Sequence, residues 1–192
     1  MSKILRPSVM RHSEWWKQEE RDPLEWKAIK DAAKKRDNYT CVYCDFRALK
    51  WMQVNHVGAE DSHDLTNLET VCNPCHSVLH IGANCSEGIM SVIYSDADQV
   101  RIVNYTRRLL LSGATWSQVE KLVLEKALKP GTKPLDAEES VEWANTILEE
   151  IPDGEYRGYL PAGMAVIFHQ AEAWKDYPEL VWRWGGRGIS QR

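Results

Sequence analysis

Four cysteines stand as two Cys-x-x-Cys pairs, Cys41-Val-Tyr-Cys44 and Cys72-Asn-Pro-Cys75. Zinc prefers four tetrahedral soft ligands, and two short knuckles a couple of dozen residues apart supply them from two hairpin-like turns. Structural Zn²⁺ is therefore the expected cofactor, with Cys41, Cys44, Cys72 and Cys75 as its ligands. In a reducing compartment such pairs mean metal rather than disulfides. The segment between the pairs carries Asn55, His56 and Asn67, and the second pair runs straight into His76. His80 follows one helical turn later, on the same face as His76. An imidazole has a suitable pKa for acid-base or ligand chemistry near pH 7 without large tuning. Cys85, the fifth cysteine, is expected to be a small buried apolar residue.

These groups need elements to hold them. Asp22-Pro23 with Glu25 reads as the capped start of a helix whose stripe of Trp26, Ile29 and Ala33 runs on to Arg36 and enters the first knuckle. Trp51 to Val57 alternates as a strand, with Val54 and His56 on one face and Asn55 and Val57 on the other. A polar loop over 58–66 leads to a second strand, Asn67 to Val71, and Cys75 to His80 begin a helix. Beyond residues 82–88 the pattern turns helical. Ser95 with Asp98, Thr115 with Gln118, and Asp136 with Glu139 open three helices, and Pro161 opens a fourth carrying Met164, Ile167, Phe168, Ala171 and Trp174. The expected fold class is α+β: an N-terminal arm over 1–22, a small zinc-bound module over 23–85, and a mostly α-helical C-terminal region over 86–192.

Charge limits what such a protein can grip. The net charge is −4, which argues against a surface that holds nucleic acid everywhere. Residues 1–50 hold 12 Lys/Arg against 8 Asp/Glu, and residues 51–100 hold none against 7. A phosphate-binding face would have to come from Lys27, Lys30, Lys34, Lys35 and Arg36, or from Arg183, Arg187 and Arg192. No apolar run approaches the roughly 18–20 residues of a membrane span. The start, Met1 to Pro7, lacks a secretory h-region, so a cytoplasmic location is expected. Of the nine tryptophans, Trp15, Trp16, Trp182 and Trp184 fall in terminal segments, where the expected role is to anchor a protein interface.

The stretch Arg36 to Cys44, then Gln53-Val54-Asn55-His56-Val57, then Asn67 to His76 resembles the zinc-stapled HNH, or ββα-metal, family. The likeness covers about a quarter of the chain. It implies a metal-dependent endonuclease acting on DNA, with His56 as general base, Asn67 holding the loop that orients it, and His76 ligating a catalytic cation. His80 would add a ligand or reach the scissile phosphate. The residue before the base is usually Asp or His in that family and ligates the cation; here it is Asn55. A neutral carboxamide binds Mg²⁺ more weakly than a carboxylate does, so Mn²⁺ or Ni²⁺ held with His76 and His80 is the alternative.

The layout of the longer chain is also similar to the IcmJ/DotN family of type IVB (Dot/Icm) secretion coupling complexes. The residues that carry this are Arg36-Asp37-x-Tyr39-Thr40-Cys41 with Phe46, the apolar Ile89 to Tyr94 before a helix containing Gln99, and Leu160-Pro161 with Phe168, Gln170 and Trp174. That resemblance implies an HNH-like zinc fold used as an adaptor, bound to a coupling ATPase through its helical region and exposed tryptophans. Endonuclease and adaptor both remain open at the level of sequence.

Overall fold

The computed structural model describes residues 3–11, 23–49, 51–59 and 61–169. Trp15, Trp16, Trp174, Trp182, Trp184 and the tail arginines lie outside them. Six helices and six short strands alternate among the described residues, an α+β arrangement. Helix α1 (Pro23–Arg36) has Glu25 in its first turn and Lys34, Lys35 and Arg36 in its last, which suits the helix dipole. The knuckle of Cys41 and Cys44 follows. Strands β2 (Met52–His56) and β3 (Leu68–Cys72) pair antiparallel, with Asn55 opposite Glu69 and His56 opposite Leu68. Helix α2 (Asn73–Val78) starts at Cys72, with Pro74 in its first turn, where the missing N–H costs nothing. The end of β3 and the first turn of α2 thus carry Cys72 and Cys75, and the knuckle before β2 carries Cys41 and Cys44.

The remainder departs from the expected helical pattern. Helix α3 (Ile81–Ser86) occupies part of the segment taken as a boundary. It is followed by strand β4 (Met90–Tyr94). The run after Pro161 is strand β6 (Met164–Phe168), not a fourth helix, and it pairs antiparallel with β4. Met164, Ile167 and Phe168 also fit a helical stripe, but a short apolar run that includes Val166 and Ile167 suits a buried strand equally well. Pairing with β4, far away in sequence, decides it. The part of that expectation resting on Ala171 and Trp174 lies outside the described residues.

Three helices run where expected. Helix α4 (Gln99–Leu111) is capped by Asp98 rather than Ser95, since the Asp98 carboxylate accepts from the Val100 and Arg101 N–H groups. Helices α5 (Trp116–Ala127) and α6 (Ala137–Glu149) both start with complete capping boxes, Thr115 with Gln118 and Asp136 with Glu139. The N-terminal segment contributes strand β1 (Ser8–Met10). It pairs with β5 (Arg157–Tyr159), setting Met10 opposite Arg157.

The small β4–β6 sheet is the centre of the core, with Val92, Ile93, Val166 and Ile167 at most 1% exposed. Its open edges are closed by side chains. Gln99 donates to the Val166 carbonyl at 3.0 Å and accepts from the Val166 N–H at 2.9 Å, standing in for a neighbouring strand. Ser140 accepts from the Val92 N–H on the other edge. Closing edges in this way removes a template for unwanted strand pairing. One continuous buried cluster joins Cys41, Cys44, Cys72 and Cys75 to Ile102, Val103 and Leu110 of α4 and to Val119 and Val123 of α5. No helix among the described residues is long and apolar enough to cross a membrane.

Candidate metal centre

The four sulfurs of Cys41, Cys44, Cys72 and Cys75 all lie within 4.8 Å of one another, and all four residues are buried. Cys44 Sγ is 3.5 Å from Cys72 Sγ. A tetrahedral zinc with Zn–S bonds of about 2.3 Å separates its sulfurs by about 3.8 Å. The cluster therefore has the size, the donor chemistry and the burial of a structural Zn²⁺ site. The first knuckle is shaped by its backbone: Asp45 adopts the left-handed region (φ 57°) and donates its N–H to the Cys41 carbonyl at 3.1 Å. As thiols the four groups pull one another apart in acidity. Hydrogen bonds from Cys41, Cys72 and Cys75, helped by the Arg107 charge, hold Cys44 low. Burial and the neighbouring sulfurs push Cys72 up, and the other three sulfurs together with burial push Cys75 up. A divalent ion resolves this conflict by holding all four as thiolates.

A side chain from a distant helix completes the centre. Arg107 of α4 is 7% exposed, and its Nη2 donates to Cys72 Sγ at 3.2 Å and Cys44 Sγ at 3.4 Å. Its other terminal nitrogen donates to Asn104, and its guanidinium lies 4.3 Å over the Phe46 ring. Four thiolates around Zn²⁺ leave two net negative charges in a buried site. The arginine offsets one of them and orients two of the ligands. Sequence reading missed Arg107 because it sits 35 residues beyond Cys72 on an amphipathic helix where an arginine looks like surface.

The polar residues between the knuckles separate into two groups on opposite faces of β2. On one face, Asn55 is 3% exposed and both ends of its carboxamide are engaged: Nδ2 donates to Glu69 Oε1 at 2.9 Å and Oδ1 accepts from Arg157 Nη2 at 3.3 Å. Glu69 also accepts from the Tyr43 hydroxyl at 2.6 Å and from Lys3 at 2.8 Å. Burial, and next the Glu69 charge, hold the Tyr43 phenol protonated far above its ordinary range. Arg157 further donates to Ser8 Oγ, to the Leu79 carbonyl at 2.6 Å and to the His56 carbonyl at 3.2 Å. Its neighbour His76 is pushed down to about 4 by burial and then by the Arg157 charge, so the imidazole is neutral at pH 7. His76 and His80 meet ring to ring at 4.6 Å, although α2 ends at Val78 and His80 sits at the start of α3.

On the other face, His56 is 6% exposed beneath α1. The Trp26 ring lies parallel to it at 5.6 Å, and His63 from the polar loop closes in at 5.8 Å. Asn67 accepts from the Gly58 N–H at 2.7 Å and donates to the Ala59 and Ser62 carbonyls at 2.6 and 2.8 Å. These bonds clamp the loop that carries His63. Arg36 ties α1 to the same turn, donating to the Leu65 and Leu68 carbonyls while its guanidinium pairs with Asp37. Of the basic residues expected to meet phosphate, Arg36 is thus taken by the fold and Lys27 pairs with Asp31. Cys85 is fully buried, and burial pushes its thiol up to about 12. No protein-family model matches this chain, and no curated protein is a match to it.

Proposed function

We propose that this chain is a zinc-stapled adaptor, a binding module whose metal holds the fold and does no chemistry. The single observation that carries this reading is Arg157. Its guanidinium bonds to Asn55 and to the His56 carbonyl and acts on His76, which is the space a catalytic cation would share with Asn55 and His76. A divalent cation there would face a buried positive charge at close range, a penalty of several kcal/mol even at the effective dielectric of about 20 that suits protein sites. Asn55 has also committed its oxygen and its nitrogen, and His56 lies covered by Trp26 and His63. A general base needs a path to water and substrate. The resemblance to IcmJ/DotN points the same way and names the setting, a coupling complex around an ATPase.

The second reading, an HNH endonuclease, rests on His56, Asn67 and His76 standing in family order with Asn67 clamping the loop beside His56. One experiment separates the two. Purified, zinc-loaded protein is incubated with supercoiled plasmid and Mg²⁺, Mn²⁺ or Ni²⁺, beside His56→Ala. The adaptor reading expects no nicking above the His56→Ala background with any ion. Nicking by wild type that His56→Ala abolishes, at unchanged zinc content, replaces it with the nuclease reading.

A further inference from the structure

A cavity of about 1210 Å³ opens beside the metal centre, between the first knuckle, α4 and α5. Helix α4 presents Arg101, Asn104, Tyr105 and Arg108 to it, positions spaced so that they share one helix face. Lys126 of α5 and Arg47 of the knuckle line it as well. The Arg108 guanidinium lies 5.9 Å and the Lys126 ammonium 4.6 Å from the centre of the same Tyr105 ring. Among the described residues none of Arg101, Arg108 and Lys126 has an ion pair, whereas Lys27, Lys121 and Lys129 each have a carboxylate partner. Cations that converge on one ring repel one another, and an anion placed between them offsets that cost. Ile102, Leu111, Val123 and Ala127 form an apolar strip beside these cations, and Asp45, Asp96 and Asp98 also reach the lining.

We infer that this groove docks an acidic segment of a partner polypeptide, one in which carboxylates alternate with aliphatic or aromatic side chains. The inference rests on the adaptor reading and names the chemistry of its partner. Carboxylates would meet Arg101, Arg108 and Lys126, and the apolar side chains would cover Tyr105 and the strip between α4 and α5. Nucleic acid suits the groove less well. Asp45, Asp96 and Asp98 stand on the same wall, where a backbone with a charge at every step meets them and a polypeptide can instead donate its N–H groups. The net charge of −4 repels a polynucleotide, charged at every step, more than a peptide whose carboxylates alternate with apolar side chains. Arg107 forms part of the lining while its other face bonds the cysteine sulfurs, so the floor of the groove is held by the metal centre.

The test uses the full chain loaded with zinc and a fluorescein-labelled peptide of three Glu-Leu-Asp-Phe repeats. The same peptide with Gln and Asn in place of Glu and Asp is one control, and a labelled thymidine oligonucleotide of equal length is another. Binding is followed by fluorescence anisotropy at low and physiological salt for wild type and for two double variants of equal charge change. Arg101→Gln with Arg108→Gln lies in the groove; Lys121→Gln with Lys133→Gln lies outside it. The expected result is acidic-peptide binding that weakens with salt, is lost with the neutral peptide, and falls by about tenfold or more in the groove variant but not in the outside variant. Circular dichroism and zinc content check that both variants fold. Absence of acidic-peptide binding by wild type, equal loss in both variants, or tighter groove-dependent binding of the oligonucleotide overturns the inference. Metal-dependent nicking would overturn the adaptor reading separately, whereas a null groove result with no nicking leaves that reading in place.

Discussion

Asn55 shows how one polar residue can change the meaning of a motif. A carboxylate at this position would serve a hard cation, but here the position faces Glu69 at hydrogen-bond distance inside a buried network. Replacing Asn55 by Asp sets two carboxylates against each other and removes a donor that Glu69 uses; Arg157 offsets part of this. The Asn55→Asp protein should lose about 1–3 kcal/mol of stability in urea unfolding and gain no Mn²⁺-dependent nicking. A variant that kept its stability and began to nick DNA would restore the nuclease reading. Arg107 makes the second residue-scale prediction. Its two N–H groups reach Cys44 and Cys72, and supporting groups of this kind typically carry about 10–100-fold in metal affinity. Arg107→Met should therefore release zinc to a chromogenic chelator at least about tenfold faster than wild type, with Arg107→Lys intermediate because it keeps the charge and loses the planar fork. In a Co²⁺-substituted sample the sulfur-to-metal charge-transfer band should shift in Arg107→Met. Identical release rates and spectra would leave the arginine with packing alone.

At the scale of elements, the pairing of β1 with β5 decides where Arg157 sits. Strand β5 must lie close against α6 for β1 to pair with it, and Gly158 permits this. A Cβ at Gly158 would come within 2.5 Å of Ile147 Cγ2 and 3.0 Å of Ile151 Cγ1. Gly158→Ala should cost about 1–3 kcal/mol through this overpacking. Because it displaces Arg157 from Asn55 and Leu79, it should also loosen the neighbourhood of His76, seen as shifted His76 ring signals in NMR. Unchanged stability would mean that α6 yields easily at this point. A second tie of the same kind links α5 to the sheet: His169 bonds Ser91 Oγ at 2.7 Å through Nε2 and Glu120 at 3.1 Å through Nδ1. Ser91 is 8% exposed and lies within β4, so this chain of bonds fastens a helix to a strand. The starts of α5 and α6 were legible in the sequence because capping boxes are local; β4 and β6 were not, because a five-residue apolar run takes its conformation from whatever it pairs with.

At the scale of the molecule, the described residues share one continuous buried cluster, and the four cysteines placed to hold a metal belong to it. Cys72 and Cys75 are at most 1% exposed and share a buried cluster with α4 and α5. Metal removal should therefore be felt far from the knuckles. Elemental analysis is expected to return one zinc per chain, and stripping it with a chelator, or replacing Cys72 by Ser, should lower the thermal midpoint by roughly 10 °C or more. The near-ultraviolet signal of buried aromatics, which include Trp116 in the helical half, should change in the same transition. An unchanged midpoint in metal-free protein would refute a structural role for the metal.

From its residues alone the chain determined those features whose causes are local: two Cys-x-x-Cys turns that present soft ligands at a fixed spacing, the strands flanking His56 and Asn67, and helices marked by their own caps. Tertiary structure decided the rest. Arg107 reaches the Cys72 sulfur across 35 residues of chain and Arg157 the Asn55 carboxamide across 102, and no period or motif announces which buried sulfur or carboxamide a distant guanidinium will meet. That choice is made when the strands pair and the helices pack, since only then does desolvation force each buried charge to find its counterpart.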